Sequence, residues 1–530
     1  MNRFAVAACA LALALLTFFQ FPGHTWLQQD TQIYVPILEH QRDPTLLRNE
    51  ILAEQPHVAY TLYDEAALFL RRASGLDFRV VLAFQQIVTR ALGIWGLYMV
   101  ATALGLAAGP STLVAAICSL GAAIPGPQVL TFEYEPTPRA FAVPLLMCAT
   151  GLAARKRYVP AGIAAAAAFL YHPPTALPFW AVFIAILIVR RERRALVPLA
   201  AAVVLLLIAA WTQAGSGESQ TFLARLSPLQ EQLQHMRTAY VWISTWPRSQ
   251  ILHHVILFAA ALAAFTRIRR PEGPGINVSF ELRMFLLGLP LLGLAAMPAS
   301  WLLLEHWHWA LVPQVQPMRI LLFVALWMQL LTAAAGVYAA NCRRPFEAVA
   351  WFALAYLLPL DPLVTKPLPW RPIALVLLLA AATAAAAARI PRFSPAVALA
   401  AFFAIPLLGG VVNYPHLHTP EIAQLSQWAR TSTPKDAVFL FPGAGHALDP
   451  GIFRSEALRA VYVDWKGGGQ VNYLRDFAEQ WWFRWQQNIA PPDLPRYDAL
   501  GIAYIVLRPP DRLPRPAAFE NAKYVAYSVR

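Results

Sequence analysis

Charge is scarce in this chain. Only 13% of its 530 residues are Asp, Glu, Lys or Arg, against 58% apolar residues, and the mean hydropathy is +0.48. That excludes a soluble protein of this length, which would divide into roughly two to four water-facing domains. Cysteine is scarcer still. Cys9, Cys118, Cys148 and Cys342 lie in apolar segments or at their edges, and none falls beyond residue 412. No disulfide framework and no metal-type cysteine spacing is therefore available to the polar C-terminal tail. No internal repeat of solenoid type is present. The glycine run Gly467-Gly468-Gly469 lacks the Lys-Ser/Thr of a P-loop and reads as a structural turn rather than a flexible loop over a site. Met1 to Phe21 carries one Arg and an apolar core from Phe4 to Phe19, with no small-x-small cleavage site after it. It reads as an uncleaved first helix with its N-terminus in the cytoplasm.

What the chain does have is arginine, gathered in five places: Arg155-Lys156-Arg157, Arg190 to Arg194 around Glu192, Arg267 to Arg270, Arg343-Arg344, and Arg389 to Arg392. These clusters account for about the whole formal excess of +13, and the tail from 413 to 530 is nearly balanced, with 13 basic and 11 acidic side chains. The basicity is thus a topology signal and not a phosphate-binding stripe, so no nucleic-acid partner is expected. Clusters in alternate gaps mark cytoplasmic loops, and the remaining gaps hold carboxylates, His, Trp and Pro on the far side.

With the clusters as anchors, thirteen apolar spans are expected. They lie at about 4–22, within 80–108, and at 111–130, 140–154, two within 158–189, 195–212, 249–266, 281–299, 318–340, 346–360, 372–388 and 394–412. The pair around Tyr171-His172-Pro173-Pro174 is short and also fits a re-entrant hairpin. Outer loops fall at 23–79, 132–139, 213–248 and 300–317. The fold class is an α-helical polytopic membrane protein, domain 1–412, followed by a small extracytoplasmic α/β domain, 413–530. In the tail, Ala437 to Phe441, Ala460 to Val463, Ile502 to Leu507 and Tyr524 to Tyr527 read as strands. Asn472 to Gln487 reads as a helix, as does the stretch from Thr419 to Arg430, with Thr419 as cap and Pro420 at its first position.

Candidate chemistry lies in the outer loops. Asp30 follows the first span and, in a partly desolvated cleft, could act as a general base or bind a metal; a solvated loop carboxylate is the plain alternative. Glu133 and Glu135 flank Tyr134, and two carboxylates two residues apart in an extended segment share a face. They could bind Mg or Mn through oxygen, or Glu135 could pair with Arg139. Arg319 opens the tenth span, where a guanidinium can grip a lipid phosphate in bidentate fashion or simply snorkel. Glu305, His306 and His308 sit in a Trp-rich loop that also reads as an interfacial aromatic belt. His172 reads as a packed histidine. Phe453-Arg454, Arg459 and Asp464-Trp465-Lys466 precede the glycine run.

This layout resembles the GT-C superfamily of integral-membrane glycosyltransferases. Asp30 stands where an acid follows the first span, Glu133-Tyr134-Glu135 where an acidic pair lies between the third and fourth, Glu305 in the outer loop before the tenth span, and Arg319 at that span's start. Thirteen spans with an outer tail look like the plan of oligosaccharyltransferase catalytic subunits. Their Trp-Trp-Asp acceptor motif is absent, Trp481-Trp482-Phe483-Arg484 being a superficial echo, and the acidic pair is Glu rather than Asp. The resemblance implies inverting transfer of a hexosyl or pentosyl group from a polyprenyl-phosphate sugar to an envelope glycan, lipid or protein at the outer face of the inner membrane. Asp30 would be catalytic, Glu133 and Glu135 would hold a metal or position the acceptor, Arg319 and Arg139 would bind the donor phosphate, and Glu305, His306 and His172 would be accessory. A transporter or lipid flippase, and a non-catalytic scaffold for envelope assembly, are the competing classes. Arg90 is the residue that would favour a transporter if it lies deep in its span.

Overall fold

The structure, a computed structural model, describes residues 3–54, 61–212, 224–269, 278–361, 363–408, 417–473, 475–488 and 492–530. The expectations touching Arg270 and residues 409–416 lie outside the described residues. The apolar segments fold into helices because they hold long runs of Ala and Leu, and lipid forces every backbone group to be satisfied within its own segment. In chain order they are α1 (Arg3–Phe19), α4 (Phe78–Ala103), α5 (Ala108–Ser119), α6 (Pro138–Ala154), α7 (Tyr158–Tyr171), α8 (Pro173–Arg190), α9 (Arg193–Thr212), α11 (Arg248–Arg269), α12 (Phe280–His306), α13 (Val312–Asn341), α14 (Pro345–Leu357), α15 (Trp370–Arg389) and α16 (Pro395–Leu408). The polar segments between them form α2 (Thr31–Arg42), α3 (Tyr63–Ser74) and α10 (Pro228–Thr238).

Among the described residues, seven of the apolar helices are long and apolar enough to cross a membrane: α4, α8, α9, α11, α12, α13 and α15. The other six expected spans fall on shorter apolar helices. The 12 residues of α5 rise only about 18 Å, short of a hydrocarbon core of about 30 Å.

The bundle is built around α13, which is buried almost throughout and packs on α5, α11 and α14. Gln329, buried in α13, donates to Ile117 O and Ala355 O at 3.3 Å each and so ties three helices together. Helices α4 and α6 approach closely where small residues allow it. A Cβ on Gly96 would lie 2.3 Å from Met147 O, and one on Gly151 would lie 2.6 Å from Gly96 O.

The described arginine clusters gather at one end of the bundle, where some of their side chains find partners and others are exposed. Glu281 accepts from Arg190 at 2.6 Å and from the Tyr158 hydroxyl at 2.6 Å. Arg267 pairs with Glu347, and Arg155 donates to Thr102.

The tail packs on the other end. Its helices are α17 (Pro420–Ser432), α18 (Asp449–Ala457), α19 (Arg475–Gln487) and α20 (Leu494–Ala499). A small hairpin of the bundle supplies β1 (Ala123–Ile124) and β2 (Val129–Leu130). The tail supplies β3 (Val438–Leu440), β4 (Ala460–Val461), β5 (Tyr504–Leu507), β6 (Phe519–Glu520) and β7 (Val525–Ser528). The tail strands form one sheet in the order β4-β3-β5-β7-β6, parallel through β4, β3 and β5 and antiparallel beyond. The short edge strand β6 carries no apolar run and was not expected from sequence.

Tail and bundle share one apolar core that includes Ile33, Leu38, Tyr63 and Phe141 on one side and Phe439, Phe453 and Trp481 on the other. Fully buried Arg454 fastens the joint. It reaches Asp464 at 2.6 Å, Glu50 at 3.8 Å and the backbone carbonyl of Gln32 at 3.0 Å. Glu50 also accepts from the Val461 amide at 2.9 Å.

Candidate active site

Where the tail meets the bundle, a cavity of about 360 Å³ is lined by residues from α2, the β1–β2 hairpin, the start of α6, the α7–α8 junction, the end of α10, the first part of α13, and the tail. Asp30, Arg139, His172 and Arg319 all line it, although they lie far apart in sequence.

Asp30 is the N-cap residue of α2, yet its side chain makes no capping hydrogen bond. The capping is done by Glu135 from the facing loop. Its carboxylate accepts from the backbone amides of Gln28 and Gln29 at 2.7 Å each and Thr31 at 3.3 Å, and from the Thr31 hydroxyl at 2.6 Å. A carboxylate at the positive end of a helix is favourable, and here it releases Asp30 to face the cavity.

Arg139 lies in the first turn of α6, which Pro138 begins. A cation there opposes the helix dipole, and the guanidinium is almost buried. Glu133 at 2.7 Å offsets both costs and also accepts from the Leu130 amide. The arginine pairing expected of Glu135 thus belongs to Glu133. The two glutamates do not act as a pair because residues 131–135 run through bends rather than a flat strand, and the two side chains find separate partners. Both oxygens of Glu135 and Oε1 of Glu133 are taken by amides, a hydroxyl and a guanidinium. Among the described residues no group of three His, Cys, Asp or Glu could hold a metal ion. This donor set does not fit a hard divalent cation.

His172 caps α8, its Nδ1 accepting from the Thr175 amide at 3.2 Å. Burial, then Arg139 and Arg319, hold it well below the usual imidazole range. It is therefore neutral, and the occupied Nδ1 places the ring proton on Nε2. Arg319 follows Gln316, which sits in the left-handed region with φ 48°, and its Nε has no hydrogen-bond partner. Glu305 and His306 do not line the cavity. The π-helical turn of α12 at Trp301–His306 carries Glu305 to the Ser244 amide at 2.9 Å, and His306 lies alongside Trp301. His308 sits 3.7 Å from Glu231.

Sequence reasoning gave no role to two further cations. Lys466, from the tail, reaches Asp30 Oδ1 at 2.7 Å. Burial alone would push Asp30 up, but Lys466, with Arg139 and Arg319 behind it, holds the carboxyl at about 2. The Asp30 side chain keeps 38% of its surface open and lines the cavity. Arg237, at the end of α10, stacks on Trp465 at 3.7 Å with Trp481 beyond at 5.8 Å, and its Nε has no partner. One legible signal near Arg237 is the capping box Ser227-Pro-Leu-Gln230 that starts α10. His446 covers the other face of Trp465 at 3.7 Å, so that indole offers an edge and not a face. Gln29, Gln128, Gln470, Asn472, Tyr34, Tyr240 and Tyr473 supply further polar lining.

A family model described as a domain of unknown function (DUF6798) matches residues 420–487, the segment that holds His446, Trp465, Lys466 and Tyr473. No curated protein matches the chain. Among solved structures, ArnT from Cupriavidus metallidurans in the apo state is 15% identical, with 99% of this chain and 97% of that chain covered at a TM-score of 0.46. The same protein bound to undecaprenyl phosphate is 14% identical, with 99% and 98% covered at 0.46. Arabinofuranosyltransferase AftD from Mycobacteria is 16% identical, with 96% of this chain and 35% of that chain covered at 0.42. The likenesses are loose, and the chemistry of the cavity stands on its own residues.

Proposed function

We propose that the chain is a membrane glycosyltransferase that moves a sugar from a polyprenyl-phosphate donor to a hydroxyl of an envelope acceptor, with inversion. The observation that carries this reading is one cavity in which four cations, Arg139, Arg237, Arg319 and Lys466, surround Asp30, the one lining carboxylate among the described residues. Such a surplus of positive charge suits a phosphate, and the amides and phenols beside it suit sugar hydroxyls. The arginine clusters at the opposite end of the bundle support a cytoplasmic position for that end and an outer-surface position for the cavity.

In the reaction, the acceptor oxygen forms a bond to the anomeric carbon while the bond from that carbon to the phosphate oxygen breaks. The electron pair leaves on the phosphate, where Arg319, Arg139 and Arg237 stabilise the developing charge. His172, neutral with its proton on Nε2, adds an uncharged donor on the same wall. Asp30 orients the acceptor hydroxyl and receives its proton. A retaining route uses two carboxyls about 5 Å apart. Among the described residues only Asp30 lines the cavity as a carboxylate, which favours a single displacement. Glu135 positions Asp30 by capping α2, and Glu133 positions Arg139.

The transporter reading weakens at Arg90. This residue lies midway along α4, but its guanidinium donates to Thr17 O, Gly23 O and Glu133 O at 2.6 to 3.0 Å. These carbonyls belong to the end of α1 and to loops of the cavity end, so Arg90 staples loops there and lines no path across the bilayer.

The test is a transfer assay on membranes supplied with labelled polyprenyl-phosphate sugars and total envelope acceptors. Asp30→Asn is expected to lower transfer by about 10²- to 10⁴-fold, as for loss of a general base. Full transfer by inserted, folded Asp30→Asn and Arg319→Ala proteins would overturn the assignment.

A further inference from the structure

The transfer proposed above needs Asp30 free to meet an acceptor hydroxyl, yet its Oδ1 is held by Lys466 at 2.7 Å. The backbone that carries Lys466 is fixed from several sides. Arg454 pins Asp464 to the bundle, and the Trp481 indole N–H donates to the Asp464 carbonyl at 3.0 Å. The glycine run that follows is compact rather than loose. It forms a 3-10 turn over Gly467–Asn472, and a Cβ on Gly468 would lie 2.5 Å from the Trp481 ring. Asn472 at the end of that turn accepts from Thr238 at 2.9 Å. Glycine is needed here for close approach, and the freedom that remains belongs to the Lys466 side chain.

The same cavity holds two guanidinium groups, those of Arg237 and Arg319, whose Nε atoms have no hydrogen-bond partner. Buried donors of this kind call for an acceptor. A phosphate brings several charged oxygens, enough to engage both arginines and to compete with Asp30 for the lysine.

We propose that Lys466 is a phosphate-responsive lock on Asp30. With no phosphate bound, the lysine holds the carboxylate. When the donor phosphate enters, the lysine passes to it and Asp30 becomes free for the acceptor hydroxyl. Donor therefore binds before acceptor, and the tail domain takes part in the reaction cycle through this one side chain. The inference rests on the function proposed above.

The experiment is a double-mutant cycle on binding, which needs no turnover. The full chain in lipid nanodiscs is titrated with undecaprenyl phosphate and, separately, with inorganic phosphate, as wild type, Asp30→Asn, Lys466→Gln and the double variant. Thermal unfolding checks each fold, and Lys466→Met replaces Lys466→Gln should the latter not fold. Releasing the lysine by Asp30→Asn is expected to tighten phosphate binding by about tenfold, the lower end of couplings measured for close charge pairs. In the Lys466→Gln background the same change is expected to tighten it by less than about twofold.

Equal tightening in both backgrounds would mean that Asp30 merely repels the anion, and the lock would fall while the phosphate site stood. No binding by any folded variant would overturn the lock and the phosphate site together. A cycle seen with both ligands assigns recognition to the phosphate group itself, and one seen only with undecaprenyl phosphate assigns it to a lipid-borne phosphate. Either result upholds the lock.

Discussion

The two ends of the helix bundle both carry arginine, and they use it in opposite ways. At one end the guanidinium groups are numerous and are either exposed, as at Arg191, Arg193 and Arg194, or matched to a glutamate, as Arg190 is to Glu281 and Arg267 to Glu347. At the other end three line the cavity, and they are buried or half-buried. Arg139 sits at the wrong pole of a helix dipole, and Arg237 and Arg319 keep Nε donors without partners. An exposed cation costs little and informs on topology, whereas an enclosed one with unused donors carries a cost that a ligand can relieve. Enclosure, rather than the number of arginines, separates the two roles.

The strongest way to break this contrast is to remove one arginine from each end. Arg319→Ala is expected to lower transfer by about 10²- to 10³-fold, the usual effect of losing one donor to developing charge. Arg193→Ala at the other end is expected to leave transfer per inserted molecule unchanged. Comparable losses at both ends, in the labelled-sugar assay, would dissolve the distinction.

A second contrast lies within the tail. Arg454→Met leaves Asp464 and Glu50 buried beside each other without their cation, which is expected to cost about 3–5 kcal/mol of stability. Arg512→Ala removes a half-exposed partner of Glu520 and is expected to cost under about 1 kcal/mol. Thermal unfolding of the two variants measures the difference. Similar melting temperatures would show that Arg454 does not hold the tail to the bundle.

The unequal legibility of the site follows the same physics. Asp30 and Arg319 could be picked out because each sits beside an apolar run whose boundary is visible in the sequence. Lys466 and Arg237 could not, since nothing local shows that a tail lysine 436 residues from Asp30 closes on it, or that an amphipathic loop helix delivers an arginine to Trp465. Glu133 and Glu135 misled in a specific way. Their spacing suggests a shared face only if the segment is straight, and the chain bends at Thr131-Phe132 and again at Tyr134-Glu135. Most apolar helices fall where hydropathy and the arginine clusters put them, because those signals are the ones that lipid enforces, but the span expected at 111–130 is helical only over Ala108–Ser119, and its outer part turns back as the β1–β2 hairpin. The tail strands β3, β4, β5 and β7 were visible as short apolar runs, whereas β6, two residues long, leaves no such run.

Smaller effects sharpen the electrostatic side of the contrast. Asp30 is held at about 2 in the folded chain, against an unfolded value near 3.9. A depressed carboxyl contributes stability that is fully present above about pH 4 and is lost as pH falls toward 2. For transfer, kcat/KM reports the free protein and is expected to show no acidic limb from Asp30 above about pH 3. In Lys466→Gln that limb is expected to move upward, because the largest favourable charge on Asp30 is gone. An unmoved limb in the variant would mean that Lys466 does not set the charge of Asp30.

The smallest expected effect belongs to Glu305. By its place before the tenth span it looks like part of the chemistry, but the π-helical turn of α12 takes it to the Ser244 amide, away from the cavity. Glu305→Gln keeps an oxygen for that amide, so little is lost beyond a charge-assisted component of about 1 kcal/mol. Transfer is expected to change by less than about threefold, with kcat and KM both near wild type. A large fall in kcat alone would bring Glu305 into the reaction and require the α12 turn to move toward the cavity during turnover. The comparison with Asp30→Asn is then direct. Both residues are acids of outer loops, and they differ in that one faces four cations across a cavity while the other faces a backbone amide at the surface.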